Sequence, residues 1–237
     1  MTSNIAAILK LIFYIGTFSH LLPLVFFLLF KRNSKEKSLR AIFYYILYCI
    51  LNEFAGYYFH LIHVETPYFL YSIFTVLEFS FFCLFYYYVS SGYKIKKLIF
   101  PIWIFFIIIA IIDFFFINKM GGFDSFTSGL QSLLIIGMCI YYLFQQIKGS
   151  TNLQVYSTSN FWIIITFLIY LSGTFFLYIF TETMIHDKHF QNQYIYINSS
   201  FNIIKNILLS IAMLMKSDEV KPQQKRNYEW DAYNPLN

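Results

Sequence analysis

Seven apolar stretches, each about as long as a membrane is thick, constrain this chain more than any other feature. Roughly 20 apolar helical residues cross the ~30 Å hydrocarbon core of a bilayer. Only 12% of the residues are charged, about half the share of a soluble protein, which excludes a water-soluble surface. We predict an all-α, polytopic membrane protein with seven transmembrane helices. The predicted spans are residues 11–30, 41–63, 68–90, 98–117, 125–147, 159–181 and 193–215.

These spans predict one seven-helix transmembrane domain over residues 1–215. The fifth span has a polar beginning, Ser125–Ser132, which distinguishes it from the others. The remaining segment, 216–237, is polar and contains two prolines, so we predict a disordered cytoplasmic tail. It is too short to form a separate output domain.

Lysine and arginine are distributed unevenly between the loops. Thirteen fall on one side, in the loops 31–40 and 91–97, at Lys148 and in the tail, whereas the other side has two loop lysines. Cytoplasmic loops carry the excess of basic residues, so the N-terminus is predicted outside and the C-terminus inside. The net charge of +5 is therefore a topology signal and does not predict nucleic-acid binding. We expect the protein in the cell membrane (the inner or cytoplasmic membrane).

Charged residues occur at the centres of three spans. Glu53, Glu78 and Lys205 each lie within one residue of the midpoint of spans two, three and seven, and His20 lies at the middle of span one. A charge facing lipid at that depth costs from about 3 to more than 10 kcal/mol. We therefore predict that these side chains meet inside the bundle. Pro23 is predicted to kink the first span near them.

Further polar residues share helix faces with these charges. Asn198, Asn202 and Lys205 form one stripe at spacings of four and three, and Asn206 adjoins it. Similar spacings occur in spans two, three and six. The candidate substrate- or ion-binding residues are Glu53, Glu78, Lys205, Asn202, Asn198, Asn206, Thr75, Tyr57, Tyr170 and His20.

The charges of this group do not balance. Two carboxylates against one lysine leave one negative charge, which a protonated His20, a proton on a glutamate or a bound cation would offset. The alternative is that polar side chains only hold the transmembrane helices together.

The chain contains a weak internal similarity. A shift of 117 residues places span two on span six, with Gly56 on Gly173, and a shift of 127 places span three on span seven, with Glu78 on Lys205. Both pairs run in the same direction across the predicted membrane. This indicates a parallel 3+1+3 repeat in which span 98–117 is the linker, an architecture that several transporters use.

The seven-span, 3+1+3 layout resembles that of sugar-efflux and nicotinamide-riboside transporters and of opsins. The transporter resemblance implies a solute site between the repeats, near mid-membrane. In opsins, helix seven carries a retinal-binding lysine and helix three a carboxylate, and Lys205 and Glu78 correspond to them in helix number and depth. The helix-three and helix-six motifs of microbial opsins are absent from this chain. We predict no cofactor.

Our leading hypothesis is a small transporter or facilitator for a polar or cationic solute, with proton coupling as an option. The main alternative is a ligand-sensing receptor that signals through a separate partner. An intramembrane enzyme is a third hypothesis and an assembly subunit a fourth. No H-E-x-x-H, G-x-S-x-G or P-loop motif occurs, so neither catalytic residues nor a metal site are predicted. The expected partners are the lipid bilayer and a small polar solute or proton. Self-association and a signalling partner stay open.

Overall fold

The computed structural model describes residues 2–30, 35–62, 67–90, 92–117, 123–149, 157–184 and 187–215. The tail 216–237, for which disorder was predicted, lies outside these residues. Within them the fold is all-α, as predicted. The helices are α1 (Thr2–Ser19), α2 (Leu21–Leu29), α3 (Lys37–Leu61), α4 (Tyr68–Val89), α5 (Tyr93–Ile112), α6 (Ser125–Gly149), α7 (Ser159–Met184) and α8 (Lys188–Leu214). A π-helical turn, Asp113–Ile117, continues α5.

Among the described residues, six helical segments are long and apolar enough to cross a membrane. They are Lys10–Leu29, Tyr68–Val89, Tyr93–Ile117, Ser125–Lys148, Ser159–Met184 and Lys188–Leu214. The bundle is thus compatible with an integral membrane protein. Helix α3 is 25 residues long but is less apolar, because Asn52, Glu53 and five tyrosines lower its mean hydropathy. Its crossing, and hence the seventh span, remains a prediction.

The first span is broken at His20, between α1 and α2. Pro23 has no backbone N–H to donate to the Ser19 carbonyl four residues earlier, so the regular helix cannot continue through this point. The His20 side chain is 4% exposed, with its Nδ1 3.3 Å from the Thr17 carbonyl oxygen. The break therefore lies inside the bundle, where the sequence predicted a kink.

The helices form a ring around a shared interior. Helices α3, α4, α6, α7 and α8 follow the α1–α2 pair in that order, and α8 closes the ring onto α1 and α2. Helix α3 also contacts α7 across the ring, and α5 packs outside it against α4. Each helix of the ring therefore turns one face toward the centre, which determines the side chains that can meet there.

The bundle reverses the usual distribution of polarity. Buried polar side chains include Glu78, Gln131, Thr166, Thr174 and Lys205. Much of the outside is covered by large apolar side chains, a surface suited to lipid. Those that are at least 60% exposed include Leu11, Phe18, Leu28, Leu29, Leu51, Phe54, Leu61, Phe100, Phe116 and Phe176.

An apolar core fills the half of the bundle in which α4, α6 and α8 end. Phe79, Phe82 and Phe85 of α4 are fully buried there, and the rings of Phe82 and Phe167 meet edge to face at 4.9 Å. Close-packed aromatic rings leave little room for water. The buried charged side chains therefore lie at the middle and in the other half of the bundle.

Candidate functional site: a polar cavity inside the helix ring

A cavity of about 130 Å³ lies between the break at His20 and helices α3, α4, α6, α7 and α8. On α4 and α6 its lining comes from the first half of each helix, and on α8 from Tyr194 to just past the middle at Lys205. The cavity therefore extends from mid-bundle toward the end where these helices begin. Its wall is formed by His20, Cys49, Asn52, Glu53, Tyr71, Phe74, Thr75, Glu78, Phe123, Asp124, Ser128, Gln131, Tyr170, Tyr178, Tyr194, Asn198, Asn202 and Lys205.

Glu78 and Lys205 are connected at the inner end of the cavity through the hydroxyl of Tyr45. This hydroxyl donates to Glu78 Oε1 at 2.7 Å and accepts from Lys205 Nζ at 3.1 Å. The side-chain amide of Gln131 donates to Glu78 Oε2 at 2.8 Å. Both carboxylate oxygens therefore have partners, and these hydrogen bonds lower the cost of burying the charge.

The Lys205 ammonium, which belongs to a side chain only 1% exposed, also faces two aromatic rings. Its Nζ lies 4.3 Å from the centroid of the Tyr170 ring and 5.5 Å from that of Tyr45. Such cation–π contacts stabilise a desolvated cation by up to about 2 kcal/mol. An ammonium has three N–H donors, and Tyr45 uses one of them, so Lys205 retains capacity for a further acceptor.

Glu53 and His20 line the same cavity from α3 and from the break in the first span. Glu53 accepts a hydrogen bond from Thr17 at 3.2 Å. Toward the outer end, the hydroxyls of Tyr170 and Tyr178 share a hydrogen bond at 2.8 Å. Tyr178 donates in turn to Asn198 at 3.2 Å. The wall thus offers donors and acceptors along its length as well as charge.

Eight of the ten sequence-predicted site residues line the cavity, and Asn206 and Tyr57 do not. Asn206 is fully buried and donates to the Ser19 hydroxyl at 2.7 Å, which joins α8 to the first span. Tyr57 is 53% exposed and lies on the outside, contrary to its predicted inward position. At this point α3 does not pack closely against another helix, because a Cβ added to the neighbouring Gly56 would meet no atom within 4 Å.

The cavity also contains a carboxylate that the sequence did not single out. Asp124 is 2% exposed, and neither of its carboxylate oxygens has a hydrogen-bond partner. It lies just before the helix that begins at Ser125, and burial raises its pKa to about 6. The available signal was the polar beginning of the fifth span, whose Ser125, Thr127, Ser128, Gln131 and Ser132 are all buried.

Negative charge is in excess within this cavity. Glu53, Glu78 and Asp124 line it together with one lysine, Lys205. Two negative charges are therefore left over when all three carboxylates are ionised and His20 is neutral. Buried charges of one sign call for a bound proton or another cation.

Comparisons of the chain with protein-family models, curated proteins and solved structures find no match. The chemistry of the cavity is therefore the basis for a function.

The Tyr45 hydroxyl can be tested as the link between Glu78 and Lys205. We expect Tyr45→Phe to lower stability by about 1–3 kcal/mol, because both charged partners lose a buried hydrogen bond. Tyr44→Phe is the matched control, because Tyr44 is the preceding residue and its side chain is 54% exposed. Thermal unfolding of the purified protein in detergent measures the difference. Equal midpoints for the two variants would show that Tyr45 does not hold the pair.

Proposed function

We propose that this chain is a small membrane transporter or facilitator for a polar or cationic solute. One observation carries the proposal: a cavity inside an apolar-surfaced helix ring is lined by three carboxylates and one lysine. Buried ionisable groups in a membrane bundle usually mark an ion or solute pathway, because they are costly to retain for packing alone.

In the proposed cycle, Lys205 neutralises part of the negative charge while the cavity is empty. A cationic solute or a proton that reaches Glu53 or Glu78 replaces that neutralisation. Lys205 then moves from the Tyr45 hydroxyl toward another acceptor. The solute is small, since the cavity of about 130 Å³ is below the roughly 300–1,000 Å³ of drug-sized pockets.

The packing order supports the proposed parallel repeat. If the α1–α2 pair, α3 and α4 correspond to α6, α7 and α8, the contact of α3 with α4 corresponds to that of α7 with α8. The contact of α4 with α6 then corresponds to that of α8 with the first span. Helix α5, outside the ring, takes the place of the linker. Glu78 and Lys205 would be equivalent positions on either side of the cavity, the usual place for a transporter site.

The one-sided shape of the cavity fits two functions. A transporter caught in one state of alternating access has a site open toward one side and packed apolar contacts on the other. A receptor that binds its ligand from that side has the same shape. With the predicted topology, the cavity extends toward the outer face. Flux separates the two functions, because a receptor binds the ligand without moving it.

The test is uptake into proteoliposomes of three radiolabelled cations, namely tetramethylammonium, guanidinium and 1,5-diaminopentane. We expect at least one to enter faster than into protein-free vesicles. Glu53→Gln should reduce that uptake by about tenfold or more, because it removes a negative charge that would pair with the cation in the cavity. Glu182→Gln, an exposed position on α7, should leave it unchanged. Saturable binding with no uptake of any probe would favour the receptor.

A further inference from the structure

The unpartnered carboxylate of Asp124 lies among aromatic rings at the outer end of the cavity. The ring centroids of Tyr71 and Phe123 are 5.5 Å apart, and those of Phe123 and Tyr194 are 6.5 Å apart. All three rings line the cavity, as does Asp124. A carboxylate beside several aromatic faces provides both electrostatic and cation–π attraction for an ammonium group.

The hydroxyls of Thr75 and Ser128 lie near this carboxylate and favour its charged form, but neither of its oxygens has a hydrogen-bond partner. Thr75 and Ser128 line the same wall, but their hydroxyl oxygens pair with each other at 3.2 Å. Thr75 is also hydrogen-bonded to the Tyr71 carbonyl at 3.1 Å. Both Asp124 oxygens therefore keep their acceptor capacity, and a buried carboxylate with unused acceptors is costly unless something binds it.

Asp124 is well separated from the inner charges. Gln131, which donates to Glu78, lies seven residues after Asp124 on α6, which corresponds to about 10 Å of helix rise. The inner layer around Glu53 and Glu78 has its own excess of negative charge over Lys205. The cavity thus has two negatively charged ends, with aromatic and polar side chains between them.

We propose that Asp124, with the rings of Tyr71, Phe123 and Tyr194, is an ammonium-binding subsite, and that the solute is a linear diamine. One ammonium of the solute lies at Asp124, and the other lies in the Glu53–Glu78 layer, where it replaces Lys205. That the diamine crosses the membrane rests on the proposed function, whereas its binding in the cavity does not.

Binding of 1,5-diaminopentane and of 1-aminopentane to the detergent-purified protein tests the subsite. These probes have the same carbon chain and differ in one amine. We expect the wild type to bind the diamine at least about tenfold more tightly than the monoamine, because the diamine makes one more charged contact. Asp124→Asn should remove most of that advantage and change the affinity for 1-aminopentane by less than about threefold, because the single ammonium can occupy the inner layer.

Asp187→Asn is the matched control. This residue lies at the same end of the bundle, is exposed and caps α8 through the His189 amide, a role that asparagine also fills. It should leave both affinities unchanged. Asp124→Asn should fold, with an equal or higher thermal midpoint at pH 8, because it removes a buried charge that lacks a partner.

Two results would overturn the subsite: equal wild-type affinity for the two amines, or an equal loss for both in Asp124→Asn. The outcome is separable from that of the transport proposal. Diamine binding that depends on Asp124 without any uptake would leave the subsite standing and remove transport. Diamine uptake that Asp124→Asn does not alter would leave transport standing and remove the subsite.

Discussion

Lys205→Met should abolish uptake and also destabilise the protein. Within the part of the chain that the structure describes, Lys205 is the one lysine of the cavity wall. Its substitution leaves three carboxylates without a basic partner there. Removing one partner of a buried charge pair typically costs about 3–5 kcal/mol, because the other charge stays buried and uncompensated. Uptake should fall by about a hundredfold, as the empty cavity can no longer be neutralised from within.

The double variant Glu78→Gln/Lys205→Met separates stability from function. Replacing both members of a buried pair by neutral groups is often close to neutral for stability. Tyr45 and Gln131 can still hydrogen-bond to the glutamine side chain. We expect the thermal midpoint to recover most of the loss seen in Lys205→Met, while uptake stays abolished. Recovery of both properties would mean that the two charges serve only assembly.

Exchanging the two charges is the sharpest test against a scaffolding role. Glu78→Lys with Lys205→Glu keeps one charge of each sign around Tyr45. A protein that needs them only to hold α4 to α8 should retain its function in this variant. A protein that binds a cation in the cavity should lose its function. The carboxylate would then lie on α8 and the ammonium on α4, so their positions relative to Glu53 and Asp124 would be exchanged.

The charged centre of this fold could be read from the sequence because lipid penalises charge so strongly. Glu53, Glu78 and Lys205 each interrupt a run that otherwise suits a membrane helix. The same cost makes their meeting at one interior cavity the simplest arrangement. The kink near His20 followed equally directly from the missing N–H of Pro23.

Other members of the site could not be recognised in this way. Tyr45 belongs to a chain with 21 tyrosines, and nothing in its spacing distinguishes the one that bridges Glu78 and Lys205. Asp124 precedes its helix, where an acidic residue is ordinary, so its burial depends on how α4, α7 and α8 pack around it. Tyr57 was predicted to face the interior but is exposed. A helical stripe indicates that residues share a face, but not how far the neighbouring helix covers that face.

Gly173→Ala should destabilise the protein. A Cβ built on Gly173 of α7 would lie 2.1 Å from two atoms of the Phe201 ring on α8, far inside van der Waals contact. Added volume at a packed position costs about 1–3 kcal/mol. Relief requires the ring or α8 itself to move, and Lys205 lies one turn along α8 from Phe201. We therefore expect loss of both stability and uptake.

Gly56 supplies the matched control, because the 117-residue shift places it on Gly173. A Cβ at Gly56 meets nothing within 4 Å, so Gly56→Ala should be neutral or slightly stabilising through the better helix propensity of alanine. Thermal midpoints and uptake of the two variants, measured side by side, give the comparison. If both glycines tolerate alanine equally, the Phe201 ring moves aside without displacing α8.

Adding Phe201→Ala tests whether the clash is the cause. The double variant Gly173→Ala/Phe201→Ala removes the ring that the new methyl would strike, and it should be less damaged than the sum of the two single variants by about 1 kcal/mol or more. Additive losses would mean that Gly173 matters for another reason. A recovered midpoint with recovered uptake would instead connect the close approach of α7 and α8 to the position of Lys205, and thus the packing of the bundle to its charged cavity.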